Sequence, residues 1–408
     1  MYKTTKSCQY FFNSSFFIAC IALLFLWNAA AHAASIKIGA INPLSGRFAK
    51  QGVETHQGIE VAVAEANAAG GVGGILLQLV SRDDQSQPDI AISRAEELCS
   101  WKKVVALTGG YVDSLVGPIS EVAKKHQIPY VASASLQKEL VQRENDYFFR
   151  VSNLEGFVAP ICGALNEQFQ PKRLAIIHAA TPGSTELAQD LETCLGFQKI
   201  PVSLKEKFRP GTPDFTPLIS KIKQMNIDVI VSGGFTPDHL LFVRQLKENN
   251  VSLHAYIGPF GIAYDSFIKE MGDDANYLYS TSAWTPEFTL PGSETLSMAF
   301  MQKFQSMFNR RPNTTNMHGY TSAKALVEAM RHVVHGGKTL TGPNIRQALV
   351  DLDITLPMEH LVFDHRGDPR HYRHVVVQIQ KGRLEVVYPK SRATSTAVYP
   401  MPAWDQRK

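Results

Sequence analysis

The stretch Ile36–Asp84, IKIGAINPLSGRFAKQGVETHQGIEVAVAEANAAGGVGGILLQLVSRDD, decides the fold. Ile36–Ile41 is a short apolar run that ends in the turn Pro43-Leu44-Ser45-Gly46. Ile59, Ala62, Val63 and Ala66 then recur at i, i+3, i+4 and i+7, one apolar helix stripe that needs a sheet to pack on. Gly70-Gly71 stops that helix with residues that accept a left-handed backbone, and Leu77–Ser81 starts a second strand. Strand, helix and strand in this order make one parallel β-α-β unit.

Upstream, Lys3 and Lys6 precede the apolar run Phe16–Trp27, and Ala31-His32-Ala33 has the small-x-small pattern of a signal-peptidase site. The expectation is a secretory leader over residues 1–33, cleaved after Ala33, and a soluble periplasmic product. A lipid-modified Cys20 fits less well, because Cys20 lies inside the apolar run. The 375 residues after Ala33 are enough for two lobes. The formal charge of +4 falls to +2 without Lys3 and Lys6, which gives no electrostatic footprint for nucleic acid. Cys99, Cys162 and Cys194 remain, and the sequence does not assign their pairing.

Strand-like runs alternate with helical periods. Strands are expected at Ile36–Ile41, Leu77–Ser81, Val104–Thr108, Tyr130–Ser133, Leu174–His178, Val229–Ser232, Ala255–Ile257 and Val375–Gln380. Most are apolar throughout, as in sheets buried on both faces. Pro88-Asp89 and Pro237-Asp238 read as helix starts, with proline in the first turn and an acid facing the helix dipole. The fold class is α/β with doubly wound parallel sheets. The stretch 391–408 lacks periodicity and reads as a loose tail.

From Ile36 to about Pro389 the chain resembles the type I periplasmic binding proteins, in particular the leucine/isoleucine/valine-binding group that serves ABC importers. The residues carrying the resemblance are Pro43-Leu44-Ser45-Gly46, Ala49, Gly52, Glu65, Asn67, Gly70-Gly71-Val72, Asp83-Asp84 with Pro88, Gly258-Pro259, Phe363-Asp364 and Gly367-Asp368. The resemblance implies two lobes joined by three crossovers near Ser152, Thr281 and Pro357. Lobe 1 would comprise 34–152 plus 282–357, and lobe 2 would comprise 153–281 plus 358–390. It also implies a small-molecule ligand in the cleft, no cofactor, no catalysis, and an inner-membrane ABC permease as partner. A receptor docking on a membrane sensor kinase or cyclase is the alternative. A periplasmic hydrolase is a third reading.

Three loops that follow strands are placed to bind a solute: Thr108–Ser114, Ala132–Leu136 and Ser232–Phe235. The resemblance implies that amino-acid binders hold the ligand carboxylate with a serine in the first loop and a threonine in the second. Here those positions are Asp113 and Leu136. The ammonium-binding acid falls at Phe260, and two wall aromatics fall at Gly183 and Gln51. Phe235 keeps the remaining aromatic. The expected ligand site is therefore Gln51, Tyr111, Asp113, Ala134, Ser135, Leu136, Gly183, Phe235 and Phe260. Its ligand would have an apolar or aromatic body and a donor or cation facing Asp113, and leucine, isoleucine and valine would bind poorly.

Gly-x-Ser-x-Gly and His-Glu-x-x-His motifs do not occur. His371 and His374 are a candidate metal pair, set against the plainer reading of a charged turn before a strand. Asp83-Asp84 is a candidate acid–base pair, set against a cap or hinge contact. Gly70–Gly74 follows a helix and precedes a strand, the reverse of a dinucleotide loop.

Overall fold

A computed structural model describes residues 1–2, 35–142 and 144–407. The expected leader, its cleavage after Ala33 and Cys20 fall outside the described residues. Ile36–Lys408 is one compact unit.

The first sheet has strand order β2-β1-β3-β4-β5, all neighbours parallel. Its strands are β1 Ile36–Asn42, β2 Leu77–Asp83, β3 Ala106–Gly109, β4 Tyr130–Ala132 and β5 Phe148–Arg150. The period of two along β1 explains its two buried faces. Ile36, Ile38 and Ala40 join a core with α1 (Ala49–Ala68), whereas Ile41 joins a second core with α2 (Pro88–Glu96) and α3 (Asp113–Lys125).

The second sheet has order β14-β13-β10-β9-β8-β6-β7. Its parallel part is β6 Leu174–Ala179, β7 Val202–Phe208, β8 Val229–Gly233, β9 Ala255–Gly258 and β10 Tyr279–Ser282. Helices α4 (Leu154–Ala164), α5 (Pro182–Phe197), α6 (Thr216–Gln224), α7 (Thr236–Glu248) and α8 (Asp265–Met271) flank it. The sheet is not purely parallel: β13 Val375–Gln380 pairs antiparallel with both β10 and β14 Arg383–Tyr388. The chain then leaves this sheet for α9 (Glu294–Phe308), α10 (Thr314–His335) and α11 (Gly342–Val350), which stack on α1 and one another. It returns through the β11 Asp353–Thr355 and β12 His360–Val362 hairpin. Three passages between the sheets result.

The α1–α10 contact depends on glycine. A Cβ on Gly58 would lie 1.8 Å from the Asn316 carbonyl oxygen, and one on Gly319 would lie 1.9 Å from that of Thr55. Two of the passages brace each other at β5. Arg150, 1% exposed, places Nε 2.6 Å from Asp368 Oδ1 and donates from Nη1 to the Gln137 carbonyl at 2.9 Å. Gly367 has φ +80°, and its missing Cβ would otherwise meet the Phe148 carbonyl oxygen at 2.1 Å.

All eight expected strands are present, each with ends within two residues of expectation. The structure corrects the reading of the tail. Thr394 N–H donates to Val386 O, Met401 N–H to His254 O and Trp404 Nε1–H to Val251 O, so the segment is tied along the second sheet. These bonds use backbone acceptors of its neighbours and need no periodicity of its own. Cys162 of α4 and Cys194 of α5 are joined by a disulfide. Cys99 is free and buried, and burial pushes its thiol up to about 12.

Candidate functional site

The carboxyl ends of the two sheets face one cavity of about 360 Å³. Eight of the nine expected residues line it: Tyr111, Asp113, Ala134, Ser135, Leu136, Gly183, Phe235 and Phe260. Gln51 does not, which corrects its assignment. It lies on the buried face of α1 that also carries Thr55, Gly58 and Ile59. Phe48, just before α1, fills the wall instead, with ring centroids 6.0 Å from Tyr111 and 6.2 Å from Phe235.

Each wall follows from the order of elements. Tyr111–Asp113 lead from β3 into α3, Ala134–Leu136 follow β4, and Gly183 is in the first turn of α5. Phe235 precedes α7, and Phe260 and Tyr264 follow β9. Helix starts thus surround the cavity with N–H groups. Tyr111 and Tyr264 interact through their hydroxyls, and burial raises both phenols so that they stay neutral.

Asp113 serves its own loops. Its Oδ1 accepts from Ser135 Oγ at 2.9 Å, Leu136 N at 2.8 Å and Gln137 N at 3.1 Å. Its Oδ2 points across the cleft, 3.0 Å from where a Cβ on Gly183 would stand. Arg47 contributes a cation at the mouth, exposed and 5.1 Å above the Phe48 ring.

A buried polar chain forms the floor, and the sequence reading missed it. His318 Nε2 is 2.9 Å from Tyr372 Oη, which is 2.5 Å from His374 Nε2, while His374 Nδ1 is 2.9 Å from Thr281 Oγ1. Burial lowers His318 to about 4 and His374 well below its ordinary value, so both are neutral. Phe157 stacks 3.9 Å from His374. These side chains come from α10, β10, α4 and the loop before β13, and no local motif joins them.

The charged-turn histidines separate. His374 is buried in this chain, whereas His371 is exposed and packs on His360. Among the described residues no group of three His, Cys, Asp or Glu gathers to hold a metal. Asp83 acts as a clamp on the Pro-Ser-Gly turn. It accepts from Leu44 N at 2.9 Å, Ser45 N at 3.2 Å and Ser45 Oγ at 2.6 Å. Asp84 is fully buried and raised to about 6 by burial and by Asp83. The Gly70–Gly74 run closes on itself through paired bonds between Val72 and Ile75.

The periplasmic binding protein family model matches residues 35–383. The chain belongs to the periplasmic binding protein family. Leu/Ile/Val-binding protein homolog 7 of Brucella melitensis is 27% identical over 399 residues, covering 93% of this chain and 97% of that one. The Leu/Ile/Val-binding protein of Escherichia coli K12 is 28% identical over 263 residues, 64% of this chain and 71% of that one. The branched-chain amino acid transporter substrate-binding protein LivJ of Streptococcus pneumoniae, in complex with isoleucine, superposes with TM-score 0.78 at 22% identity, covering 87% of this chain and all of that one. A solute-binding protein of R. palustris in complex with benzoate superposes with TM-score 0.76 at 16% identity, covering 90% and 98%. This periplasmic binding protein has the type I fold of that family, one of substrate-binding receptors.

Proposed function

We propose that this periplasmic binding protein traps a small molecule between its two lobes and delivers it to an inner-membrane ABC importer of the branched-chain amino acid and amide type. One observation carries this reading: strand-end loops of both sheets converge on a single cavity of about 360 Å³. That volume suits a ligand of small-metabolite size. The family match, together with the export signal and cleavage after Ala33 expected from the sequence, supports a periplasmic receptor rather than an enzyme. The lobes meet near Ser152, Thr281 and Pro357, and closure is a hinge motion there.

The ligand has an aromatic or apolar body and is not a standard branched-chain amino acid. Phe48, Tyr111, Phe157, Phe235, Phe260 and Tyr264 supply aromatic walls, and the structure of a neighbour in complex with benzoate supports an aromatic body. Asp113 and Leu136 replace the hydroxyl pair that would hold an amino acid. The test is uptake. Cells lacking the gene should lose import of the solute that stabilises the purified protein and regain it on complementation. Unchanged uptake would leave a receptor without a transport role.

A further inference from the structure

Three donors that would suit a ligand's carboxylate are already taken. The Leu136 and Gln137 N–H groups and the Ser135 hydroxyl all point at one atom, Asp113 Oδ1, at 2.8–3.1 Å. Successive backbone N–H groups beside a hydroxyl form an anion-binding concavity. Asp113 also lies in the first turn of α3, at the positive end of the helix dipole. From behind, Arg150 holds the loop through the carbonyls of Ser135 and Gln137, at 3.4 and 2.9 Å. The concavity is therefore preorganised without any ligand.

We propose that Asp113 is an internal stand-in for a ligand carboxylate, so that the cavity selects neutral or cationic solutes that lack one. This rests on the reading of the cavity as a solute site. A carboxylate has lone pairs for about two strong bonds per oxygen, and Oδ1 already has three donors. An incoming carboxylate would find these donors used and would face the charge on Oδ2. Oδ2 lies on the cavity side opposite Gly183, and the absence of a side chain there leaves it reachable by an N–H or O–H of the solute. Among the described residues, the only other fixed charge lining the cavity is Arg47, at the exposed mouth. Asp113 is thus a specificity-determining residue, and its hold on the loop after β4 is the means by which it acts.

Titration calorimetry at pH 7.5 tests this with matched probes: benzoate against benzylamine, and L-leucine against isoamylamine. Wild-type protein should bind each amine more tightly than its carboxylate partner. D113S empties the concavity and should bind the carboxylates at least tenfold more tightly than wild type, while losing at least tenfold toward the amines. D113N keeps an acceptor in place and should weaken the amines without admitting the carboxylates. If D113S folds, as judged by its circular dichroism, and shows unchanged carboxylate affinity, the inference is overturned. If D113S does not fold, wild-type amide resonances decide. A shift of the Leu136 and Gln137 N–H signals by benzoate overturns the inference, and fixed signals that respond to benzoate neither in position nor in width support it. Tight carboxylate binding by wild type would defeat this inference yet leave a solute receptor standing, since that reading has its own uptake test.

Discussion

Phe48 and Phe235 meet across the cleft with ring centroids 6.2 Å apart. One lies just before α1 on the first sheet's side and the other just before α7 on the second sheet's side. They form a wall only when the lobes are together, and Phe48 is half-buried. F48A should weaken binding of the cavity ligand by about 1–2 kcal/mol, of the order of an aromatic contact plus its buried area, with little change in folding stability. Calorimetry and urea denaturation separate the two effects.

Arg150 and Asp368 form the brace between two passages, with side chains 2% and 23% exposed. Removing the acid leaves a buried guanidinium with carbonyl partners but no counter-charge. D368A should therefore cost about 3 kcal/mol of unfolding free energy in a urea titration. The same loss should loosen the 135–137 loop, read as faster amide exchange at Leu136. A cost below about 1 kcal/mol would show that the pair does not hold the hinge.

Much of the fold was legible because parallel strands are apolar on both faces. Leu174–His178 and Val229–Ser232 stand out in sequence for that reason. β7 was missed because VSLKEKF alternates charge with apolar residues at a sheet edge. β10, YSTS, was missed because its polar side chains are buried with local partners, as when Ser280 Oγ donates to the Gly258 carbonyl at 2.7 Å. In the cavity, loops that follow strands were readable from order alone. Phe48, Tyr264, His318 and His374 were not, since helix starts and chain passages far apart in sequence bring them together. Asp113 was expected in the cleft and lines the cavity, but its three intramolecular donors depend on how two loops meet.

Asp84 makes stability depend on pH in a defined direction. Its folded value is raised from 3.8 to about 6, so the folded state holds its proton more tightly than the unfolded chain does. Its favourable share of stability is complete below 3.8 and is lost as pH rises through about 6. D84N should gain about 1 kcal/mol relative to wild type on going from pH 5 to pH 8. Urea titrations of both proteins at the two pH values give the comparison. An equal difference at both would mean that Asp84 ionises freely in the folded state.

Lys138, beside the first sheet, reaches α5 on the second, with Nζ 2.6 Å from Asp190 Oδ1 and its N–H donating to Glu186 Oε2 at 2.9 Å. Exposed pairs contribute little and are screened by salt. K138A should therefore weaken ligand affinity only about two- to fivefold, with the difference shrinking at 1 M salt. It should also enlarge the radius of gyration of the ligand-bound protein in small-angle scattering. A radius unchanged from wild type would show that the Lys138 contacts do not hold the two sides together.

Gly183 gives the sharpest test of the cavity itself. A Cβ there would stand 3.0 Å from Asp113 Oδ2 and 3.7 Å from Leu136 Cβ, so a leucine at this position fills the space between the lobes. The measurement is a thermal-shift screen of wild-type and G183L protein against amines, amides, polyamines, amino acids and aromatic acids. A solute at about 100 times its dissociation constant adds roughly 2.7 kcal/mol. The account predicts at least one solute that raises the melting temperature of wild type and leaves G183L unmoved, with both proteins melting alike when free. A solute that stabilises both equally would mean that it is held elsewhere, and would contradict the cleft as the binding site.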